Sequence, residues 1–101
     1  MATYISLVNL TQQGIQNFKT SPDRAVKFKA IAQKAGVKVK EVYWTTGAYD
    51  IVLILEAAGD EAVAAVMLGL GSLGNVRTQT LRGFTASEMK KIISKVPKIS
   101  K

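Results

Sequence analysis

The segment Tyr49–Ala57 (YDIVLILEA) places the strongest limit on what this chain can fold into. In a strand, Ile51, Leu53 and Leu55 point to one side, and the two residues between them point to the other. Both sides are therefore apolar. A large aliphatic side chain gains about 1.5–3 kcal/mol when it leaves water. The strand must consequently be covered on both faces.

The remaining apolar patterns predict an α+β domain around this strand. Strands are predicted at Thr3–Leu10, Val37–Thr46, Tyr49–Ala57 and Asn75–Leu81, with a short helical turn at Gln12–Phe18 and helices between Ser21 and Gly36, after Asp60, and at Ala86–Ser94. The order is β-α-β-β-α-β followed by a C-terminal helix. This is the ferredoxin-like pattern, with a four-stranded antiparallel sheet.

Local signals add detail to these elements. Ser21 is predicted to cap the first long helix, since Pro22 suits the first turn that follows. The spacing of Asp23 and Lys27 favours an ion pair along this helix. The alternation of the second strand changes phase at Lys40-Glu41, which predicts a β-bulge.

In the ferredoxin-like topology the two long helices cover only one face of the sheet. A second sheet packed face to face would bury the other, so the sequence predicts a homo-oligomer whose sheets pack in this way. The alternative is that the C-terminal helix folds back over the uncovered face.

Composition narrows the possible chemistry. The 101 residues fit one domain, predicted at residues 1–94 with a basic tail at 95–101, and they include no cysteine and no histidine. Disulfides, thiolate nucleophiles, Cys/His zinc sites and imidazole catalysis are therefore excluded, and no metal or cofactor is expected. No long apolar run and no secretory leader are recognisable, so a cytoplasmic protein without a membrane segment is expected.

The formal net charge of +7 raises the question of nucleic-acid binding. Five lysines and no acid lie in Lys90–Lys101, which leaves only +2 for residues 1–89. Nonspecific binding through this tail is one alternative function. Ferredoxin-like RNA-binding domains stack bases on aromatic residues of their central strands, and the strand after Tyr49 is purely aliphatic. Nucleic acid is therefore not the expected partner.

Three separated motifs give the chain a family resemblance. Gly36–Val52 carries a glycine and a Tyr-Asp pair at the turn into the third strand, here Gly47, Tyr49 and Asp50. Leu73–Arg82 and the residues around Gly14 and Ser21–Ala25 agree as well. Over about Thr3–Ile93 the chain resembles the GYD domain family, which is similar to the dimeric α/β-barrel superfamily. The resemblance implies a ferredoxin-like fold that pairs through its sheets, and it implies no particular reaction.

The predicted function is a homo-oligomeric α/β-barrel module that binds a small molecule or serves as an interaction unit. A candidate ligand site is expected between sheet and helices, at Tyr43, Trp44, Tyr49, Asp50 and Arg77. A small cofactor-independent enzyme is the alternative, with Asp50 or Tyr49 transferring a proton. In the structural interpretation, Asp50 accepts backbone N–H bonds and Tyr49 fills the sheet edge. Arg77 would anchor an acidic ligand or pair with a charge across strands.

The glycines in Gly69–Gly74 spell G-x-G-x-x-G. A dinucleotide site needs this motif after a strand and at the start of a helix, where backbone N–H groups meet phosphate. Here the glycines end a helix and precede a strand. They are therefore interpreted as a helix exit.

Overall fold

The computed structural model describes residues 1–100 of the chain. The elements are β1 (Ala2–Leu10), α1 (Gln12–Gln16), a 3-10 turn (Phe18–Thr20), α2 (Ser21–Lys34), β2 (Val37–Trp44), β3 (Ile51–Ala57), α3 (Asp60–Ser72), β4 (Val76–Gly83) and α4 (Ala86–Ser94). Within this range, every helix is too short or too polar to cross a bilayer.

The strands form one antiparallel sheet in the order β2-β3-β1-β4. The apolar strand β3 and strand β1 are central, and β2 and β4 are the edges. This order confirms the predicted ferredoxin-like, α+β architecture. Val8 of β1 lies opposite Ile51, and Leu10 lies opposite Val76.

The core lies between the sheet and the helices α2 and α3. Tyr4, Val8 and Leu55 are buried there. Ser6 is a fully buried polar residue on the same face, and its hydroxyl accepts a hydrogen bond from Thr80 Oγ1 at 3.2 Å. The cost of burying this hydroxyl is therefore offset, because the group that leaves water has a partner in the protein.

The predicted bulge in β2 is confirmed. The register passes from Val39 opposite Leu55 to Glu41 opposite Ile54, so Lys40 has no partner in β3. The extra residue shifts the alternation by one position. The odd-numbered valines before the bulge and the even-numbered residues after it consequently all face the helices.

Thr11 joins the end of β1 to the start of β4. Its Oγ1 accepts from Gly14 N at 3.1 Å, which caps α1, and donates to Gly74 O at 2.5 Å. The Thr11 amide donates to Asn75 O at 3.0 Å. Gly14 is buried against that same backbone, where a Cβ would lie 1.9 Å from Asn75 O.

The two helix-start predictions need correction. Ser21 is the first residue of α2 rather than its cap, because the 3-10 turn ending at Thr20 runs directly into the helix. Asp60 is the first residue of α3, preceded by Gly59, and its carboxylate accepts from the hydroxyl of Tyr4 instead of from a helix N–H.

The ion pair expected between Asp23 and Lys27 is not formed. The ion pairs among residues 1–100 are Lys40–Glu56 at 3.4 Å and Arg82–Glu88 at 3.7 Å. Lys27 is exposed on α2. A solvated charge gains little free energy when its side chain is held in the single conformation that an ion pair requires.

The C-terminal helix α4 begins with a capping box formed by Thr85 and Glu88. None of its residues is buried, and no strand or helix packs extensively against it. The chain measures 53 × 31 × 20 Å. Its shortest dimension is the thickness of one sheet and one layer of helices. The alternative in which α4 covers the sheet is therefore wrong. Of the predicted tail, residues 96–100 are exposed and without regular structure, and Lys101 lies outside the described residues.

Candidate functional site

A cavity of about 670 Å³ lies between α2 and α3 on the helix-covered side of the sheet. Its floor includes Val8, Ile51 and Leu53, and its walls include Phe28 of α2 and Leu70 of α3. The volume is within the range of about 300–1,000 Å³ that is typical of ligand pockets. The cavity exists because α2 lies chiefly against β2 while α3 lies across β2, β3 and β4.

Four polar side chains line this cavity, and none of its lining residues is acidic. They are Ser21, Arg24, Lys27 and Asn75. Three of them lie at one end of the sheet, where α2 begins and β4 starts. Only Arg24 and Lys27 carry charge, and both are cationic.

None of the five residues predicted as a ligand site lines the cavity. Tyr43 and Arg77 belong to the face of the sheet turned away from the helices, opposite Val52 and Asn9 respectively, and both are exposed. Tyr49 reaches the same side, where its hydroxyl is 3.3 Å from Gln79 Oε1.

Trp44 and Asp50 lie elsewhere. The Trp44 indole Nε1 donates to Ser21 Oγ at 3.0 Å, on the helix side. Asp50 Oδ2 accepts from the amide of Leu10 at 2.8 Å, while its own amide donates to Val8 O at 2.9 Å. Asp50 therefore has the structural role offered as the alternative, and a ligand role for the five residues stays a prediction.

The sheet face away from α2 and α3 is here called the open face. Its centre is a continuous group of half-buried or exposed aliphatic side chains. They are Ile5, Leu7, Val52, Ile54 and Leu81. Ile5 lies between Ile54 on one side and Leu81 on the other, and Leu7 lies opposite Val52. Polar residues, among them Glu41 and Gln79, flank this group towards the two edges.

A hydrogen bond connects the sheet to the start of α3. The Tyr4 hydroxyl donates to Asp60 Oδ1. This bond, with desolvation and the negative charge of Asp60, raises the pKa of Tyr4 above its ordinary value. The phenol consequently stays protonated at neutral pH, as a donor that orients a helix end.

Arg82 connects the sheet to α4. Its guanidinium lies over the rings of Phe84, at 4.4 Å, and Tyr4, at 5.6 Å, and pairs with Glu88 at 3.7 Å. Hydrogen bonding to the Thr85 backbone, followed by smaller contributions that include Arg82, lowers the pKa of the Glu88 carboxyl. These contacts hold elements together and frame no cleft.

No group of three or more acidic side chains capable of holding a metal occurs within residues 1–100. Gly69 and Gly71 lie in the last turns of α3, and Gly74 follows with φ of 84°. The glycines therefore end a helix, where backbone carbonyls rather than N–H groups are exposed.

The cavity lining was missed by the sequence predictions, although a signal for it exists. Ser21, Arg24, Phe28, Ile31 and Ala35 recur every three or four residues along α2, and all five line the cavity. This spacing places them on one stripe of a helix. Arg24 is the charged residue in an otherwise small or apolar stripe, and this exception was the signal available in the sequence.

The chain is similar to proteins already known. The sequence profile described as GYD domain matches residues 4–93. The glutamine synthetase and cystathionine beta-lyase binding protein of Thermus thermophilus is 33% identical over 90 residues, or 88% of this chain and 95% of that protein. The crystal structure of TTHA0845 from Thermus thermophilus matches with a TM-score of 0.55 and 28% identity, over 85% of this chain and 96% of that one.

Proposed function

The chain belongs to the GYD domain family, and from this premise we propose that it is an interaction module that pairs with a second copy of itself and binds enzymes. The observation that carries the proposal is the open face. Its aliphatic centre has no helix over it, since α2 and α3 occupy the other side and α4 stands apart.

Self-pairing follows from the energetics of this face. A fully buried aliphatic side chain gains about 1.5–3 kcal/mol over an exposed one. Ile54 and Leu7 are already half-buried by their neighbours, so each gains only part of this amount. Several such residues in one patch still favour a cover. A second copy offers a matching apolar sheet, and two sheets pack about 10 Å apart with their side chains interdigitated.

Enzyme binding is supported by the relative with 33% identity, which is named for binding glutamine synthetase and cystathionine beta-lyase. These two enzymes are therefore the first partners to test for this chain. Helix α4 is a suitable contact, because Met89 and Ile93 on it are exposed although they are large and apolar.

Self-pairing is tested by native mass spectrometry and analytical ultracentrifugation of the unmodified protein and of Ile54→Lys. A lysine at the centre of the open face would carry a charge into the apolar interface, so we expect a dimer or higher assembly to become a monomer. The matched control is Ala64→Lys, which adds the same charge at an exposed position of α3. A monomeric unmodified protein, or an Ile54→Lys variant that assembles normally, would contradict the proposal.

Enzyme binding is tested separately, by titrating immobilised protein with purified glutamine synthetase and cystathionine beta-lyase from the same organism. We expect saturable binding of at least one, weakened by Met89→Glu with Ile93→Glu. Saturation with neither enzyme removes this part of the proposal and leaves self-pairing untouched.

A further inference from the structure

We propose that the cavity between α2 and α3 is a binding site for a small carboxylic acid with an aliphatic body, whose carboxylate is held by Ser21, Arg24 and Asn75. This site lies on the other side of the sheet from the open face. It goes beyond the interaction function and does not depend on it.

The body of the ligand is inferred from the walls and floor of the cavity. Valine, leucine, isoleucine and phenylalanine side chains from six elements converge there. Ile31 on one wall and Leu73 near the other are each 65% exposed while lining the cavity. An aliphatic chain placed between them would remove this apolar surface from water.

The head group is inferred from Arg24. Its Nη1 donates to Asn17 O at 3.0 Å and to Thr20 Oγ1 at 2.6 Å, which fixes the guanidinium at the start of α2. The N–H donors on Nη2 and Nε are left for a ligand. Within residues 1–100 no acid pairs with Arg24. A held guanidinium with unused donors is suited to a carboxylate, since the planar fork matches its two oxygens.

Ser21 and Asn75 offer donors at the same end. Ser21 Oγ accepts from Trp44 Nε1, so its own hydroxyl hydrogen is left to donate. Asn75 Oδ1 accepts from Gln13 Nε2 at 3.0 Å, which leaves its amide N–H groups. The acceptor atoms of both side chains are thus engaged and their donors are not. A ligand that only accepts hydrogen bonds, such as a carboxylate, would provide the partner for these donors.

Two backbone carbonyls that follow α3, which would repel an anion, accept hydrogen bonds from side chains. Leu73 O accepts from Gln13 Nε2 at 3.1 Å, and Gly74 O accepts from Thr11 Oγ1 at 2.5 Å. The start of the 14-residue helix α2 adds its positive end at this point. Arg24 and the start of α2 therefore both contribute positive potential at this end of the cavity.

Charge also distinguishes two possible occupants of the cavity, which are a small acid and a segment of another copy of the chain. The free segments that a second copy could insert are α4 and the residues after it, which carry Lys90, Lys91 and Lys95. Inserting them would bring lysines beside Arg24 and Lys27, and like charges in such a setting are unfavourable. A small anion would instead bring a negative charge beside these two cationic side chains.

The test uses three probes that each contain a straight ten-carbon chain, counting the carboxyl carbon: decanoate, decan-1-ol and decyltrimethylammonium. Each is titrated into the ¹⁵N-labelled full chain, and amide and indole N–H shifts are followed by NMR. Trp44 is the chain's one tryptophan and donates to Ser21, so its indole signal reports on the head-group end. We expect decanoate to shift this signal and the amides lining the cavity, and to bind about tenfold or more tighter than decan-1-ol. Decyltrimethylammonium should be weakest.

Variants test which residue binds the head group and whether the alkyl chain occupies the cavity. Arg24→Gln should weaken decanoate about tenfold and leave decan-1-ol unchanged, while Lys34→Gln, in the last turn of α2 and outside the cavity, should change neither. Ala65→Phe fills the cavity from the α3 side without changing any charge, and should weaken both probes. It keeps the proposal testable if Arg24→Gln does not fold.

Three results would overturn the site: no decanoate binding, equal affinity for decanoate and decyltrimethylammonium, or shifts confined to the open face. Decanoate affinity that survives both Arg24→Gln and Ala65→Phe would do the same. Ile54→Lys should bind decanoate like the unmodified protein, so this proposal and self-pairing fail independently.

Discussion

At the residue scale, Gly14 lies where even a methyl group meets the backbone of another element. A Cβ there would be 1.9 Å from Asn75 O and 2.9 Å from Asn75 C. The contact cannot open freely, because the Thr11 amide is bonded to the same Asn75 carbonyl at 3.0 Å. The junction of β1, α1 and β4 therefore requires glycine, because any side chain would overlap this backbone.

We predict that Gly14→Ala lowers the free energy of unfolding by about 1–3 kcal/mol, as overpacking does in a close-packed site. The measurement is urea unfolding followed by circular dichroism. The control is Gly71→Ala in α3, where a Cβ meets nothing within 4 Å. Alanine is the better helix former, so the control should be neutral or stabilised by up to about 1 kcal/mol. Equal stability of both variants would refute the close contact.

At the scale of elements, α4 depends on its capping box because it has little tertiary packing. The pKa of Glu88 is lower in the folded helix than in the unfolded chain, chiefly through its hydrogen bond with the Thr85 backbone. A lowered folded-state pKa means that the carboxylate's contribution is present above the unfolded pKa. It is lost as pH falls through the folded pKa.

We therefore predict that the first turn of α4 frays on acidification while the sheet stays folded. The measurement is ¹³Cα secondary shift along α4 as a function of pH. Glu88→Gln keeps an acceptor for the capping box and removes the titration, so its α4 should be insensitive to acid. Thr85→Ala should fray at neutral pH, whereas Thr85→Ser should not. An α4 that frays identically in the unmodified protein and Glu88→Gln would contradict the assignment to Glu88.

At the scale of the whole molecule, the proposed self-pairing would couple assembly to stability. A protein whose folded state pairs and whose unfolded state does not is stabilised by mass action. We predict that the midpoint of thermal unfolding rises with protein concentration, measured by calorimetry over a wide concentration range. The Ile54→Lys midpoint should be lower and independent of concentration, and Ala64→Lys should behave like the unmodified protein. A concentration-independent midpoint for all three would remove the open face as an interface.

Much of the fold was predictable because burial fixes a simple period in each strand. The change of phase at Lys40-Glu41 located the bulge in β2. Gly36 was expected to end α2, and it has a φ of 86°. These features depend on neighbours in the chain or on one face of one strand, which is the information that a pattern contains.

The cavity was less predictable because it depends on the distance between two helices. A pocket between sheet and helices was expected, yet the lining comes from the spacing of α2 and α3 over the sheet, which no local pattern encodes. Ser21 shows the same limit. Its sequence context favours a cap, but the 3-10 turn before it moves the helix start, and its hydroxyl bonds to Trp44 instead.

The bulge in β2 also bears on how large an assembly of this chain can become. A flat, regular edge strand offers its unpaired N–H and C=O groups as a template for another strand, and growth by that route has no natural end. Here the β2 edge is interrupted at Lys40, and Lys38 and Lys40 on it are exposed. An irregular, charged edge is a poor template for further strands. If two copies pair through their open faces as proposed, each covers the other, and the assembly is closed rather than fibrous.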